Sequence, residues 1–486
     1  MEKIIHHLAL IMVVLALVQA KTPAAPPNIV FILADDLGWS DLGCYGSTFY
    51  ETPNIDRLAR ESVRFTDAYA AACICSPTRA SILTGKSPAR LRLTDWLTGR
   101  PDQPSQKLNR PDFQQCLALG EVTIAEALRD GGYRTASIGK WHLGESPETW
   151  PEQQGFELNI GGFNKGTPPS YFSPYKIPTL TDGPPGEDLT DRLTDEALRF
   201  IESSRDKPFF LYLPYYAVHV PLQAKPEVVR KYETKAAKLP PSEDPEFRKD
   251  HGCDVRQIQN HPVYAAMVAN LDENVGRLMD KLVALGLDKN TIVIFTSDNG
   301  GLSTSGGTPT SNLPLRGGKG WGYEGGTRVP LLVKWPGNTK SDSIDRAPVI
   351  SADFYPTLLE MAGLPLLPDQ HLDGVSLVPE LQGEHSPKRP LFWHYPHYSN
   401  QGGAPHGAVR RGDFKLIEWY EDSHVELYNL RKDPGEKTDL ATAEPGQTAA
   451  LKTLLYEWRD QVHAQMPTPN PDYDPKASPL SSGPRH

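Results

Sequence analysis

Cysteine is scarce in this 486-residue chain, and Cys44, Cys73, Cys75, Cys116 and Cys253 show none of the spacings of a zinc ribbon or finger. The count is odd, so in an exported protein at least one thiol stands outside any disulfide framework. With Cys75 set aside, the other four allow zero, one or two bridges, and three full pairings remain open. Runs of like charge are missing as well. Fifty Lys and Arg face 60 Asp and Glu, a formal charge of −10, and nothing points to a nucleic-acid partner. An acidic chain that handles anionic substrates must gather its cations locally, so the feature to look for is convergence of Lys, Arg and His. No apolar run reaches the roughly 20 residues that cross a bilayer. The nearest, residues 4–18 behind Lys3, contains His6 and His7 and leads to Val18-Gln19-Ala20, the pattern of a cleaved signal peptide over residues 1–20. No cysteine follows the cut to carry a lipid. The expectation is a secreted or periplasmic protein with no membrane anchor after cleavage.

What is plentiful is proline, 46 residues, and glycine, 40, a sign of many long loops, which often carry sites. The length predicts two or three packed units. Asn28-Ile-Val-Phe-Ile-Leu-Ala34 is a continuous apolar run rich in β-branched residues, as expected of a strand buried on both faces, and it ends in Asp35-Asp36. Thr291-Ile-Val-Ile-Phe-Thr296 has the same character and leads to Asp298-Asn299-Gly300. Pro208–Leu213 reads as a further strand leading to His219. Helices are predicted at about 54–63, 77–85, 122–130, 190–204 and 262–285, alternating with these strands. The polar stretch 232–261 is expected near the site entrance. Short antiparallel strands at 407–411, 414–420 and 425–428 and an amphipathic helix over 447–465 follow. The fold class is therefore α/β, a large mixed, mostly parallel sheet flanked by helices, plus a smaller C-terminal α+β part with an antiparallel sheet and a helix. The expected divisions are a catalytic domain over 21–385, a C-terminal subdomain over 386–466 and a flexible, Pro-rich tail over 467–486.

The most informative segment is Cys75-Ser76-Pro77-Thr78-Arg79-Ala80-Ser81-Ile82-Leu83-Thr84-Gly85. It resembles the first signature of the sulfatase family, a C-x-P-x-R core followed by a short helix. Gly132-Tyr133-Arg134-Thr135-Ala136-Ser137-Ile138-Gly139-Lys140-Trp141-His142 resembles the second. The resemblance runs from about Asn28 to about Leu440, nearly the whole mature chain. It implies that a maturation enzyme oxidises Cys75 to formylglycine, whose hydrated aldehyde is a geminal diol. One hydroxyl attacks sulfur and expels an alcohol; the other then loses its proton, and collapse of the hemiacetal releases sulfate. Pro77 in a first helical turn would place position 75 where backbone N–H groups and the helix dipole favour an anion.

Asp35, Asp36, Asp298 and Asn299 offer oxygen only, which favours a hard cation, Ca²⁺ or Mg²⁺, over zinc. The resemblance implies Ca²⁺, with residue 75 as a further ligand. Arg79, Lys140, His142, His219 and Lys319 match the family's cationic and acid/base positions. Arg79 is expected to orient the diol and brace the metal carboxylates, and Lys140 and Lys319 to hold sulfate and the leaving oxygen. By the same resemblance His142 serves the diol and hemiacetal collapse, and His219 with Lys319 serves the leaving alcohol. Ala80–Ser87 and Gly132–Trp141 superficially resemble phosphate loops, but the first lacks the leading Gly and the second has the wrong spacing.

The expected activity is hydrolysis of a sulfate ester on a small molecule or glycan. The alternatives are a phosphodiesterase or phosphonate monoester hydrolase of the same superfamily and, from another class, a non-catalytic calcium-stabilised carbohydrate binder. Trp96, His394, His397 and Tyr398 are candidates for a sugar site.

Overall fold

The computed structural model describes residues 25–242, 244–305, 307–384 and 388–477. The predicted signal peptide lies outside these residues, as do the expected 385/386 junction and positions 478–486 of the tail.

Nine strands form the main sheet. In chain order they are β1 (Asn28–Ala34), β2 (Val63–Tyr69), β3 (Arg134–Ile138), β4 (Leu158–Ile160), β5 (Phe209–Pro214), β6 (Thr291–Ser297), β7 (Arg328–Lys334), β8 (Ser343–Asp345) and β9 (Val349–Ile350). Their spatial order is β8-β2-β7-β6-β1-β5-β3-β4, with β9 also on β2. Only β7 runs antiparallel to its neighbours, so the sheet is mixed and mostly parallel. Side chains of β1 alternate between two cores, as a pleated strand requires. Val30 and Ile32 pack with helices α4 (Leu189–Ser203) and α6 (Pro262–Ala284), whereas Ile29, Phe31 and Leu33 pack with α2 (Cys75–Thr84) and α7 (Phe354–Met361). Burial on both faces is why β1 and β6 read as unbroken apolar runs rather than alternating ones.

A separate antiparallel sheet, β10 (Leu391–Tyr395), β11 (His406–Arg411), β12 (Phe414–Trp419) and β13 (Val425–Asn429), follows in meander order. One face packs Val409, Leu416 and Leu427 against Leu451, Leu455 and Trp458 of α8 (Pro445–Gln461), and the other packs Ile417 and Trp393 against Trp321 and Tyr323 of the main body. Buried charge fixes this second contact: Lys415 lies 3.0 Å from Glu324 and 3.1 Å from Glu436, and Arg410 lies 2.9 Å from Asp67. Burial lifts the Glu436 carboxyl to about 7, with Lys415 opposing the rise and Glu324 adding to it.

One expectation changes. The tail does not leave the molecule at 467: Thr468 and Pro469 pair with Leu108 and Asn109, and Asn470 Nδ2 donates to the Gln103 and Gln106 carbonyls. Backbone pairing, which leaves no trace in composition, holds this Pro-rich segment. The five cysteines are unpaired in the structure, the zero-bridge case among those the sequence leaves open.

Candidate active site

Parallel register brings the acidic residues together. Ala34 of β1 lies beside Ser297 of β6, so Asp35-Asp36 and Asp298-Asn299 leave adjacent strand ends, and Asp298 N donates to the Ala34 carbonyl. The next strands over, β5 and β3, lead to His219 and to Lys140 and His142. The carboxyl ends of parallel strands thus supply most of the site, where open α/β sheets bind their ligands. Gly139 makes the turn after β3 at φ +129°, and a Cβ there would lie 2.0 Å from the Pro214 carbonyl oxygen.

Cys75 begins α2, and its Sγ lies 3.5 Å from His142 Nδ1. One turn on, Arg79 donates through Nε to Asp298 Oδ2 at 2.9 Å and through Nη1 to the Lys140 carbonyl at 3.0 Å. Lys140 Nζ donates to Asp35 Oδ2 at 2.6 Å. Lys319 Nζ lies 2.9 Å from Asp36 Oδ2 and 3.0 Å from His219 Nε2. Asn299 Nδ2 donates to Asp36 Oδ1 at 2.8 Å. All of the residues predicted for the site therefore converge. Lys140, expected to hold sulfate, is fully buried on Asp35, and the cavity wall does not include it.

The charges perturb one another. Burial, then Asp298, raises the Asp35 carboxyl well above its usual range. Burial also acts to raise Asp36, but the lysines, Lys319 first and then Lys140, outweigh it and hold this carboxyl down. Burial and nearby lysines keep both histidines well below ordinary imidazole values, so they are neutral. Hydrogen bonds then fix the tautomers. His142 Nε2 donates to the Leu97 carbonyl at 2.8 Å, leaving Nδ1 unprotonated toward Cys75, and His219 Nδ1 donates to the Val220 carbonyl at 2.8 Å, leaving Nε2 to accept from Lys319.

Asp35 Oδ1 and Asn299 Oδ1 are buried without a hydrogen-bond partner among the described residues. Ligand atoms of Asp35, Cys75 and Asp298 lie within 4.8 Å of one another, as do those of Asp35, Asp36 and His219. Unpaired oxygen acceptors among carboxylates are the donors a hard divalent cation takes, so the residues fit such an ion. Among the described residues, both groupings able to hold a metal belong to this one centre.

The centre opens into a cavity of about 430 Å³, walled by Trp96–Thr98, Asn164–Thr167, Leu302, Ser305, Asn400 and Gln401 as well as Cys75, His142, His219 and Lys319. Of the proposed sugar contacts, only Trp96 lines it. His394 is buried on the Tyr420 hydroxyl and the Gln465 carbonyl, His397 on Thr94, and the Tyr398 hydroxyl donates to Glu421. The described residues of the stretch 232–261 contribute no lining residue, and Arg256 N donates to the Ser303 carbonyl one layer back.

Sequence reasoning missed the strap 94–98. Leu97 N donates to Ser76 Oγ, and its carbonyl orients His142. Asp95, buried behind it, accepts from Trp96 N and from the Tyr395 hydroxyl of β10. A lone Asp in a loop carries no signal of that role, because its partner lies 300 residues away.

The family model described as Sulfatase matches residues 27–364, and the one described as N-sulphoglucosamine sulphohydrolase, C-terminal, matches 318–462. The chain belongs to the sulfatase family. This sulfatase is 35% identical to a sulfatase of Formosa agariphila over 92% of this chain and 90% of that one. It is 33% identical to human arylsulfatase A (90% and 89% covered) and 31% identical to N-acetylgalactosamine-6-sulfatase of Rattus norvegicus (90% and 86%). Among solved structures it is similar to Ps i-CgsB in complex with k-i-k-neocarrahexaose, with 29% identity, a TM-score of 0.71 and 89% and 92% coverage. The protein is a sulfuric ester hydrolase, which sets aside the non-catalytic binder.

Asp95 gives a test of the strap. Burial lifts its carboxyl to about 7, against the hydrogen bonds from Trp96 and Tyr395. The folded state therefore binds this proton more tightly than the unfolded chain, and the group's contribution, complete below about pH 4, is lost as pH rises to about 7. Asp95→Asn keeps the acceptor and cannot ionise. Its melting temperature relative to wild type should rise from pH 4 to pH 8, by up to about 4 kcal/mol in stability. A difference that stays flat with pH would contradict the assignment.

Proposed function

We propose that this sulfatase hydrolyses sulfate esters of carbohydrates, using formylglycine made from Cys75 and a Ca²⁺ ion held by Asp35, Asp36, Asp298, Asn299 and the modified residue 75. The observation that carries the reading is the seat of Cys75. It starts a helix, faces an unprotonated imidazole nitrogen at 3.5 Å, and shares a cluster of ligand atoms with Asp35 and Asp298. Once hydrated, formylglycine supplies the hydroxyl that attacks sulfur, and the cation supplies charge that neutralises sulfate oxygen and acidifies that hydroxyl.

The chain's own residues do the rest. Arg79 braces Asp298 and the Lys140 carbonyl, fixing the carboxylates before substrate arrives. Lys319 supplies the positive charge that sulfate meets, and Lys140 compensates the buried Asp35 carboxylate behind it. His142 Nδ1 takes a proton at position 75 as sulfate is released, its ring held by the Leu97 carbonyl. Lys319 delivers a proton to the leaving alcohol oxygen, and His219 Nε2, which accepts from Lys319, holds that ammonium in place.

A carbohydrate is supported by the cavity, which sets Trp96 among Asn164, Lys165, Asn400 and Gln401. It is also supported by relatives named for N-acetylgalactosamine 6-sulfate and by the neocarrahexaose bound to Ps i-CgsB. The exported location rests on the leader-like residues 1–20, and a formylglycine-generating enzyme is the required maturation partner. Among the described residues no helix is long and apolar enough to cross a membrane.

Cys75→Ala should lower sulfate release from sulfated monosaccharides on the order of 10³-fold or more. Undiminished turnover would remove the formylglycine mechanism. Asp298→Ala should abolish calcium in elemental analysis of the purified protein, and stoichiometric calcium in that variant would refute the ligand assignment.

A further inference from the structure

Asn312 is buried, and three segments that carry the site meet on its carboxamide. Oδ1 accepts from Gly301 N at 3.0 Å. Nδ2 donates to the Gly301 carbonyl at 2.8 Å and to the Gly317 carbonyl at 3.0 Å. One side chain therefore engages both backbone groups of Gly301, in the loop that leaves β6 after Asp298 and Asn299. The same Gly301 carbonyl accepts from Lys319 N at 3.1 Å, so the clamp and Lys319 share one oxygen. The exit from β1 closes the third side: a Cβ on Gly38 would fall 2.6 Å from Asn312 Oδ1, and one on Gly318 would fall 2.6 Å from Nδ2.

The donors and the acceptor of this carboxamide are all used, and no other side chain as short offers that set in one plane. An aspartate here would turn a carboxylate oxygen toward the Gly301 and Gly317 carbonyls, where only repulsion results. The clamp matters because of the loop it holds. Arg316-Gly-Gly-Lys-Gly320 surrounds Lys319 with three glycines, the residue that loses most freedom on being ordered, so its stiffness has to come from outside. Lys319 Nζ nevertheless sits 2.9 Å from Asp36 Oδ2 and 3.0 Å from His219 Nε2. Misplacing a catalytic group by about 1 Å can cost about 100-fold in rate. Among the described residues the cavity wall does not include Asn312, so any influence it has on the reaction passes through Lys319.

We infer that Asn312 is a positioning residue that ties the Lys319 loop to the strand end bearing Asp298 and Asn299, and so sets the ammonium against the leaving oxygen. The inference rests on the reading of Lys319 as the group that serves that oxygen.

An ester whose alcohol departs as a stable anion asks little of Lys319, and one with a poor leaving group asks most. The test measures kcat/KM for 4-nitrophenyl sulfate and 4-methoxyphenyl sulfate on the mature, calcium-loaded wild type and on Asn312→Asp, Asn312→Ala and Lys319→Ala. Lys319→Ala should raise the ratio in favour of the nitrophenyl ester by about 10-fold or more. Both Asn312 variants should raise it in the same direction, by about 3- to 10-fold. Both esters are assayed on one preparation, so partial unfolding lowers them by a common factor and leaves the ratio readable. A wild-type ratio in either Asn312 variant, with the ratio raised in Lys319→Ala, overturns the positioning role and leaves the reading of Lys319 intact. No rise in Lys319→Ala overturns that reading and the inference with it.

Discussion

Asp35, Asp36 and Asp298 are buried together, and Arg79, Lys140 and Lys319 are buried against them. Taking any one of these ions out of water alone costs several kcal/mol, so each depends on the others being in place. Asp35 carries the residual strain: burial and Asp298 push its proton affinity up even with Lys140 2.6 Å away. A preorganised charge cluster of this kind is poorly suited to stability and well suited to holding a divalent cation and an anionic group in fixed relation.

The sheet makes the cluster possible. Because β1, β5 and β6 run parallel and in register, their carboxyl ends deliver Asp35, His219 and Asp298 to one edge. The remaining groups arrive on α2 and on two loops. Gly-rich residues 300–320 let Lys319 come in close: Asn312 clamps the Gly301 and Gly317 carbonyls, and Gly320 N donates to the Cys73 carbonyl. The C-terminal sheet is more than ballast. Tyr395 holds the strap that orients His142, and Gln401 forms part of the cavity wall.

The main strands and helices were legible because burial on both faces writes an unbroken apolar run, and amphipathic packing writes a period near 3.6. β1 and β6 and the helices at 75–84, 189–203 and 262–284 fall within a few residues of their predicted bounds. The candidate site was legible because its residues lie in short motifs, at strand ends, at the start of α2 and in the Gly-rich loop before Lys319. Three things were not. Exposed pairing held Thr468–Pro469 against a distant segment, where no side-chain pattern is needed. Asp95 and Tyr395 pair across 300 residues, so only folding reveals the partners. The aromatic and histidine guesses His394, His397 and Tyr398 were drawn by residue type, yet they pack on Tyr420, Thr94 and Glu421.

The mechanism turns on the chemical identity of residue 75 in the working enzyme. Mass spectrometry of the peptide containing Ser76-Pro77-Thr78-Arg79, taken from enzyme whose sulfate release has been measured, decides it. Specific activity should track the fraction of position 75 present as the aldehyde or its hydrate. Full activity in a preparation carrying only the unmodified cysteine there would contradict it.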